Sequence, residues 1–95
     1  MKISEAKNTL KGINLEAVVI EKVDPRNVNL KAGGVARVCD VKISDDSGEM
    51  KLSLWNEEID KVKVGSKLII TNGYTNQFKG TVKLNVGKYG NLTVR

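Results

Sequence analysis

Histidine is absent from this 95-residue sequence, and cysteine, proline and tryptophan each occur once. Without histidine there is no His-based triad, no His general base and no His-containing metal site. A lone Cys39 leaves no intrachain disulfide and no thiolate-cage zinc site. An unpaired cysteine with no signal peptide points to a reducing, cytoplasmic setting. No apolar run approaches the roughly 18 residues of a membrane span. Together with the missing phosphate-cradling Gly-rich loop and nucleophile–base pair, these absences argue against an enzyme and imply no cofactor. The length fits one domain over residues 1–95, small enough to fold with little margin.

What is present is unevenly charged. The net charge is +5. Residues 40–60 carry seven acids against two bases, whereas residues 61–95 carry seven bases and no acid. A stretch that basic is a candidate anion-binding surface.

The chain reads as mostly β, rich in valine and isoleucine with closely spaced turn signals. Lys2–Leu10 has room for a helical turn with Ser4 as its cap. Residues 13–23 form a first strand. Leu15, Ala17 and Val19 share one parity, while Val18 and Ile20 break the alternation and imply that both faces are partly covered. Pro25 ends this strand, and residues 26–34 read as an exposed loop closed by Gly33-Gly34. Residues 35–44 give a second strand with Val41 and Ile43 inward. Asp45-Asp46-Ser47-Gly48 is a hairpin turn, because Asp and Gly tolerate its backbone angles. In residues 49–56, Met50, Leu52 and Leu54 alternate with Lys51, Ser53 and Trp55, so core on one side gathers the latter three on the other.

Residues 57–64 allow one or two helical turns. Residues 67–74 are a fourth strand, 75–80 a short loop and 81–86 a fifth strand with Val82, Leu84 and Val86 inward. Residues 91–95 close the chain as an edge segment. Five antiparallel strands in fewer than 100 residues close most simply into a small barrel. With one short helix between strands 3 and 4, the order is that of the all-β, Greek-key oligonucleotide/oligosaccharide-binding (OB) barrel. An SH3-like barrel is the competitor, and it usually lacks that helix.

The aromatics are placed unusually. Trp55 faces away from Leu52 and Leu54, and Phe78 falls in the loop between strands 4 and 5. Tyr74 shares parity with Ile70 and so points inward, unless a bulge at Gly73 reverses it. Tyr89 reads as a structural turn residue and Cys39 as a small buried filler. An OB barrel binds along its middle strands and neighbouring loops, so Trp55, Tyr74 and Phe78 can line one groove. Arg26, Lys31, Arg37, Lys51, Lys79 and Lys83 are the candidate cations around it. Rings that stack unstacked bases, with cations that track phosphates, are what single-stranded nucleic acid requires.

The run DDSGEMKLSLWNEE, followed by VKVGSKLIITNGYTNQFKGTVKLNVGKYGN, resembles the simple OB-fold single-stranded DNA-binding proteins. These include the archaeal single-stranded DNA-binding proteins, the DNA-binding domains of archaeal replication protein A and the human SOSS complex B-subunit. The resemblance runs from Ile3 to about Asn91. It implies base stacking on Trp55, Tyr74 and Phe78, with Arg26, Val28 and Lys31 approaching the strand from the first loop. The implied function is binding of single-stranded DNA with little sequence preference in replication, recombination and repair. The Gly-rich or acidic tail of many relatives has no counterpart here, so recruitment through one is not carried over. An RNA-binding module and a subunit whose main partner is a protein stand as alternatives.

Overall fold

The computed structural model describes residues 1–87 and 90–95, and for Phe78 the backbone alone. In chain order the elements are α1 (Ile3–Ala6), β1 (Lys11–Lys22), β2 (Arg26–Asn29), β3 (Val35–Asp45), β4 (Gly48–Trp55), α2 (Glu57–Lys61), β5 (Lys67–Phe78), β6 (Thr81–Asn85) and β7 (Asn91–Val94). β1, β3, β4, β6 and β5 follow one another as neighbours, and pairing of β1 with β5 closes them into a five-stranded barrel. This is the OB barrel, with its short helix between β4 and β5. Neighbours around it run antiparallel except β4 and β6, which pair in parallel through Lys51–Lys83, Leu52–Leu84 and Ser53–Asn85.

The five expected strands are β1, β3, β4, β5 and β6. Period-2 alternation places their inward residues correctly because one face of each strand meets the core. Ile13, Leu15, Ala17 and Val19 pack against Cys39, Val41, Ile43, Met50, Leu52, Leu54, Leu68, Ile70 and Leu84. Each fully buried aliphatic side chain contributes about 1.5–3 kcal/mol of transfer free energy. Ile3 and Ala6 of α1 cover the barrel at the β3–β4 turn, and Ile59 and Val62 cover the opposite end. Lys22 secures that second cover by donating to the carbonyls of Ile59 and Val62, both at 2.8 Å.

Several details depart from the sequence expectation. Residues 26–29 are not a loop but a strand paired antiparallel with β3, which satisfies backbone groups that would otherwise face solvent. Their turn back is closed by the Leu30 N–H donating to the Gly34 carbonyl and the Gly33 N–H donating to the Leu30 carbonyl. Lys2, not Ser4, occupies the N-cap of α1, and Ser4 lies inside the helix. Val18 and Ile20 are exposed rather than covered, because no layer packs on that flank of β1. β5 runs on to Phe78, so the expected loop at 75–80 shrinks to a turn at Lys79-Gly80. Among the described residues no helix is long and apolar enough to cross a membrane.

Candidate nucleic-acid interface

The outer face of the barrel wall formed by β2, β3, β4, β6 and β5 is ordered by register into cross-strand rows. Arg26, Val38 and Trp55 make one row. Asp40, Ser53, Asn85 and Tyr74 make the next. Lys42, Lys51, Lys83 and Asn76 make the third. Residues paired across a sheet share a face, so Trp55, Tyr74 and three lysines stand on one surface. Val28, opposite Ala36, continues that surface along the β2–β3 arm.

Tyr74 reaches this face through a bulge. On β1 one residue separates Ile13 from Leu15, while on β5 two residues separate their partners Gly73 and Ile70. The extra residue is accommodated at Asn72, whose φ of 55° is in the left-handed region that asparagine tolerates. The Asn72 N–H donates to the Asn14 carboxamide oxygen at 2.9 Å, which holds the bulge in place. Gly73 therefore turns into the core, and Tyr74 emerges 41% exposed. Of the two directions open from the sequence, the bulged one is observed.

The floor between the two rings is sealed. Val38, Ser53 and Asn85 lie on the outer face yet are only 4%, 6% and 6% exposed. Asn85 donates to the Asn76 carboxamide oxygen at 3.3 Å, and the Ser53 hydroxyl donates to Asp40 Oδ1 at 3.2 Å. Trp55 stands half-buried at one edge. Its backbone N–H lies 3.5 Å from Glu58 Oε1. Burial pushes the Glu58 carboxyl above its ordinary range, with the Trp55 N–H partly offsetting it.

The expected cations do not all converge. Arg26, Lys51 and Lys83 belong to the aromatic face. Lys31 sits exposed in the turn at the tip of the β2–β3 arm, and Lys79 in the β5–β6 turn at φ 51°. Arg37 has the opposite parity to Val38 and is turned to α2, where its guanidinium lies 3.6 Å from Asp60. Lys83 donates to Asp40 Oδ2 at 3.1 Å, and the Arg26 guanidinium lies 3.9 Å from the same oxygen. Lys51 has no carboxylate partner among the described residues. Backbone pairing sets Phe78 opposite Thr81 at the end of β5. Its expected stacking role, and the turn role expected of Tyr89, lie outside the described residues.

Sequence reasoning did not name Lys42, Asp40, Ser53 or Asn85 as site residues. Lys42 was within reach: the tight turn pairing Asp45 with Gly48 sets the β3–β4 register and so places Lys42 opposite Lys51. The other three owe their importance to a covered outer face, which no local pattern reports.

Comparison with known proteins agrees with this architecture. Residues 4–94 match the family model described as "Single-stranded DNA binding protein Ssb-like, OB fold". The chain is 31% identical over 86 residues to the single-stranded DNA binding protein Ssb of Saccharolobus solfataricus, covering 90% of this chain and 57% of that protein. It is 28% identical over 79 residues to an uncharacterised protein of Arabidopsis thaliana, covering 83% of this chain and 52% of that one. The chain thus spans about half the length of these curated relatives.

Among solved structures, the OB domain of a Thermoplasma acidophilum protein superposes with a TM-score of 0.82 at 17% identity, covering 100% of this chain and 85% of that one. The second OB-fold domain of replication protein A from Methanococcus maripaludis gives 0.71 at 24% identity, with 87% and 82% covered. At those identities the superpositions speak for the fold alone. With the family match running along almost the whole barrel, the chain belongs to the Ssb-like family of OB-fold single-stranded DNA binding proteins.

Proposed function

We propose that this chain binds single-stranded DNA with little sequence preference. Bases stack on Trp55 and Tyr74, with Phe78 as the third stacking residue. Lys51, Lys83, Lys42, Arg26 and Lys31 follow the phosphates, with Lys79 at the β5–β6 turn. Val28 makes an apolar contact from the β2–β3 arm. Arg37, off this face by its parity, is left out of this set. The carrying observation is that Trp55 and Tyr74 share one face with the cross-strand row Lys42–Lys51–Lys83. Like charges side by side across strands are unfavourable, and a polyanion lying over them removes that penalty. Aromatic faces accept any base, which accounts for weak sequence preference. Family membership supports the same reading, as does the name of the Saccharolobus relative. A role in replication, recombination and repair follows from the chemistry of exposed single strands.

Trp55 is the single tryptophan and therefore reports on its own site. Its fluorescence is titrated with oligo-dT, the matching duplex and oligo-U at low and high salt. Strong quenching by oligo-dT, weak response to duplex and loss at high salt are expected. Trp55→Ala and Tyr74→Ala, followed by anisotropy of a labelled oligo-dT, each weaken binding by about 1–3 kcal/mol. Stronger binding of oligo-U moves the assignment to RNA. Absence of any response, with unchanged anisotropy, overturns the reading in favour of a protein partner.

A further inference from the structure

Asp40 is an acid in the middle of the face that is read as binding a polyanion. Its side chain is 18% exposed, and that of Lys83 is 21% exposed. One carboxylate oxygen receives Lys83 at 3.1 Å and lies 3.9 Å from Arg26, and the other receives the Ser53 hydroxyl at 3.2 Å. Two of the cations best placed for phosphate are therefore already engaged within the protein. Lys42, two places along the row from Lys83, lies 3.7 Å from Glu21 and 4.0 Å from Glu49, both more exposed than Asp40.

We propose that Asp40 is a built-in competitor of the phosphate backbone, holding Lys83 and Arg26 in the free protein and yielding them to the bound strand. The inference rests on the single-stranded DNA reading of the same face. Asp40 relieves repulsion among the adjacent lysines while no nucleic acid is present. A phosphate that reaches Lys83 must displace a carboxylate fixed to the chain rather than a mobile counterion. Counterion release supplies the salt dependence of binding, so a cation neutralised internally adds little to it. The displaced carboxylate also stays close to the strand and repels it. Asp40 thus lowers affinity and flattens its salt dependence, which keeps the strand exchangeable.

The test compares wild type, Asp40→Asn, Lys83→Gln and the double variant in oligo-dT titrations over a range of salt. Asparagine keeps the volume and the acceptor for Ser53 while removing the charge. Asp40→Asn is expected to bind about 3- to 10-fold more tightly at low salt, from the lost repulsion at short range. Its log affinity against log salt becomes steeper by about 0.7 for each cation that Asp40 no longer neutralises in the free protein. In the Asp40→Asn background, Lys83→Gln removes that increment.

Unchanged affinity and slope in Asp40→Asn overturn the proposal. So does weaker binding at unchanged slope, which is what a merely structural Asp40 produces. Should Asp40→Asn not fold, Asp40→Ser takes its place in the same titrations, with tighter binding and a steeper slope expected and unchanged affinity and slope overturning the proposal. If wild type itself binds no oligo-dT, the underlying reading fails, a result visible before any variant is compared.

Discussion

The ring of Tyr74 occupies the space that a side chain at Gly87 would fill: a Cβ at position 87 would sit 2.8 Å from Tyr74 Cε1 and 3.4 Å from Cδ1. Glycine is required there for room, to let the ring lie down against the chain. Gly87 follows the last paired residue of β6 by two positions, as Trp55 follows Ser53 on β4. The seat of Tyr74 is therefore on the side of the face that carries Trp55. Gly87→Ala lifts the ring from this seat. Affinity for oligo-dT is expected to fall about 5-fold or more, a good part of one stacking interaction. The thermal midpoint should move little, because the displaced ring is exposed. Unchanged affinity would show that Tyr74 stacks equally well from another rotamer.

Gly73 is a different glycine. A Cβ there would meet Ile70 Cγ2 at 3.1 Å and both the Asn85 carbonyl oxygen and Leu84 Cδ1 at 3.2 Å. These are core and backbone atoms with little freedom to retreat. Gly73→Ala is expected to destabilise the barrel by about 1–3 kcal/mol through overpacking. Urea unfolding measures this directly. A stability equal to wild type would mean that the bulge can slide without disturbing the core.

Asp45 ties α1 to the β3–β4 turn. Its carboxylate accepts from the Ile3 N–H at 2.9 Å, the Ser47 N–H at 2.7 Å and the Ser47 hydroxyl at 2.6 Å. Burial works against ionisation, but these donors outweigh it and hold the carboxyl below the usual carboxylate range. The unfolded chain then takes up the proton first as pH falls. The stabilisation is complete above the unfolded pKa of about 3.9. It is lost as pH drops through the lower folded value. At neutral pH, Asp45→Ala should cost about 1–2 kcal/mol, since it leaves part-buried donors unpaired. Urea midpoints of wild type and variant should converge in acid. A gap that persists below the folded pKa would contradict this account.

Cys39 is only 1% exposed, and its thiol lies 3.0 Å from the Val23 carbonyl oxygen, to which it donates. Burial pushes the thiol pKa up, which depletes the reactive thiolate. Labelling by a thiol reagent should therefore be slow in the native protein and follow global opening. Rapid labelling under native conditions would show that the β1–β3 contact opens locally.

Local pattern was enough for much of this molecule. Met50, Leu52 and Leu54 alternate with Lys51, Ser53 and Trp55, and a strand with one buried face must place Trp55 opposite its leucines. The Asp45–Gly48 turn sets the register of β3 against β4, and with it the juxtaposition of Lys42 and Lys51. The burial of Cys39, the strand order and the short helix before β5 follow from comparable short-range signals.

Other features depend on partners far away in the chain. The direction of Tyr74 is decided by a bulge that Asn14 stabilises from 58 residues earlier, and parity alone points the ring the wrong way. Asp40 and Lys83 are 43 residues apart, and only barrel closure brings them to 3.1 Å. Arg26–Asn29 becomes a strand because β3 offers it unpaired backbone groups, and Arg37, off the aromatic face by parity, meets Asp60 only because α2 packs beside it. The sequence by itself determined which residues of the unbulged strand stretches face the core, and that Trp55 stands on the other side, because period-2 alternation is a local property. Only the tertiary structure decided that Tyr74 and the lysines share the face of Trp55, and which cations are held by an acid, because both depend on pairing between distant strands.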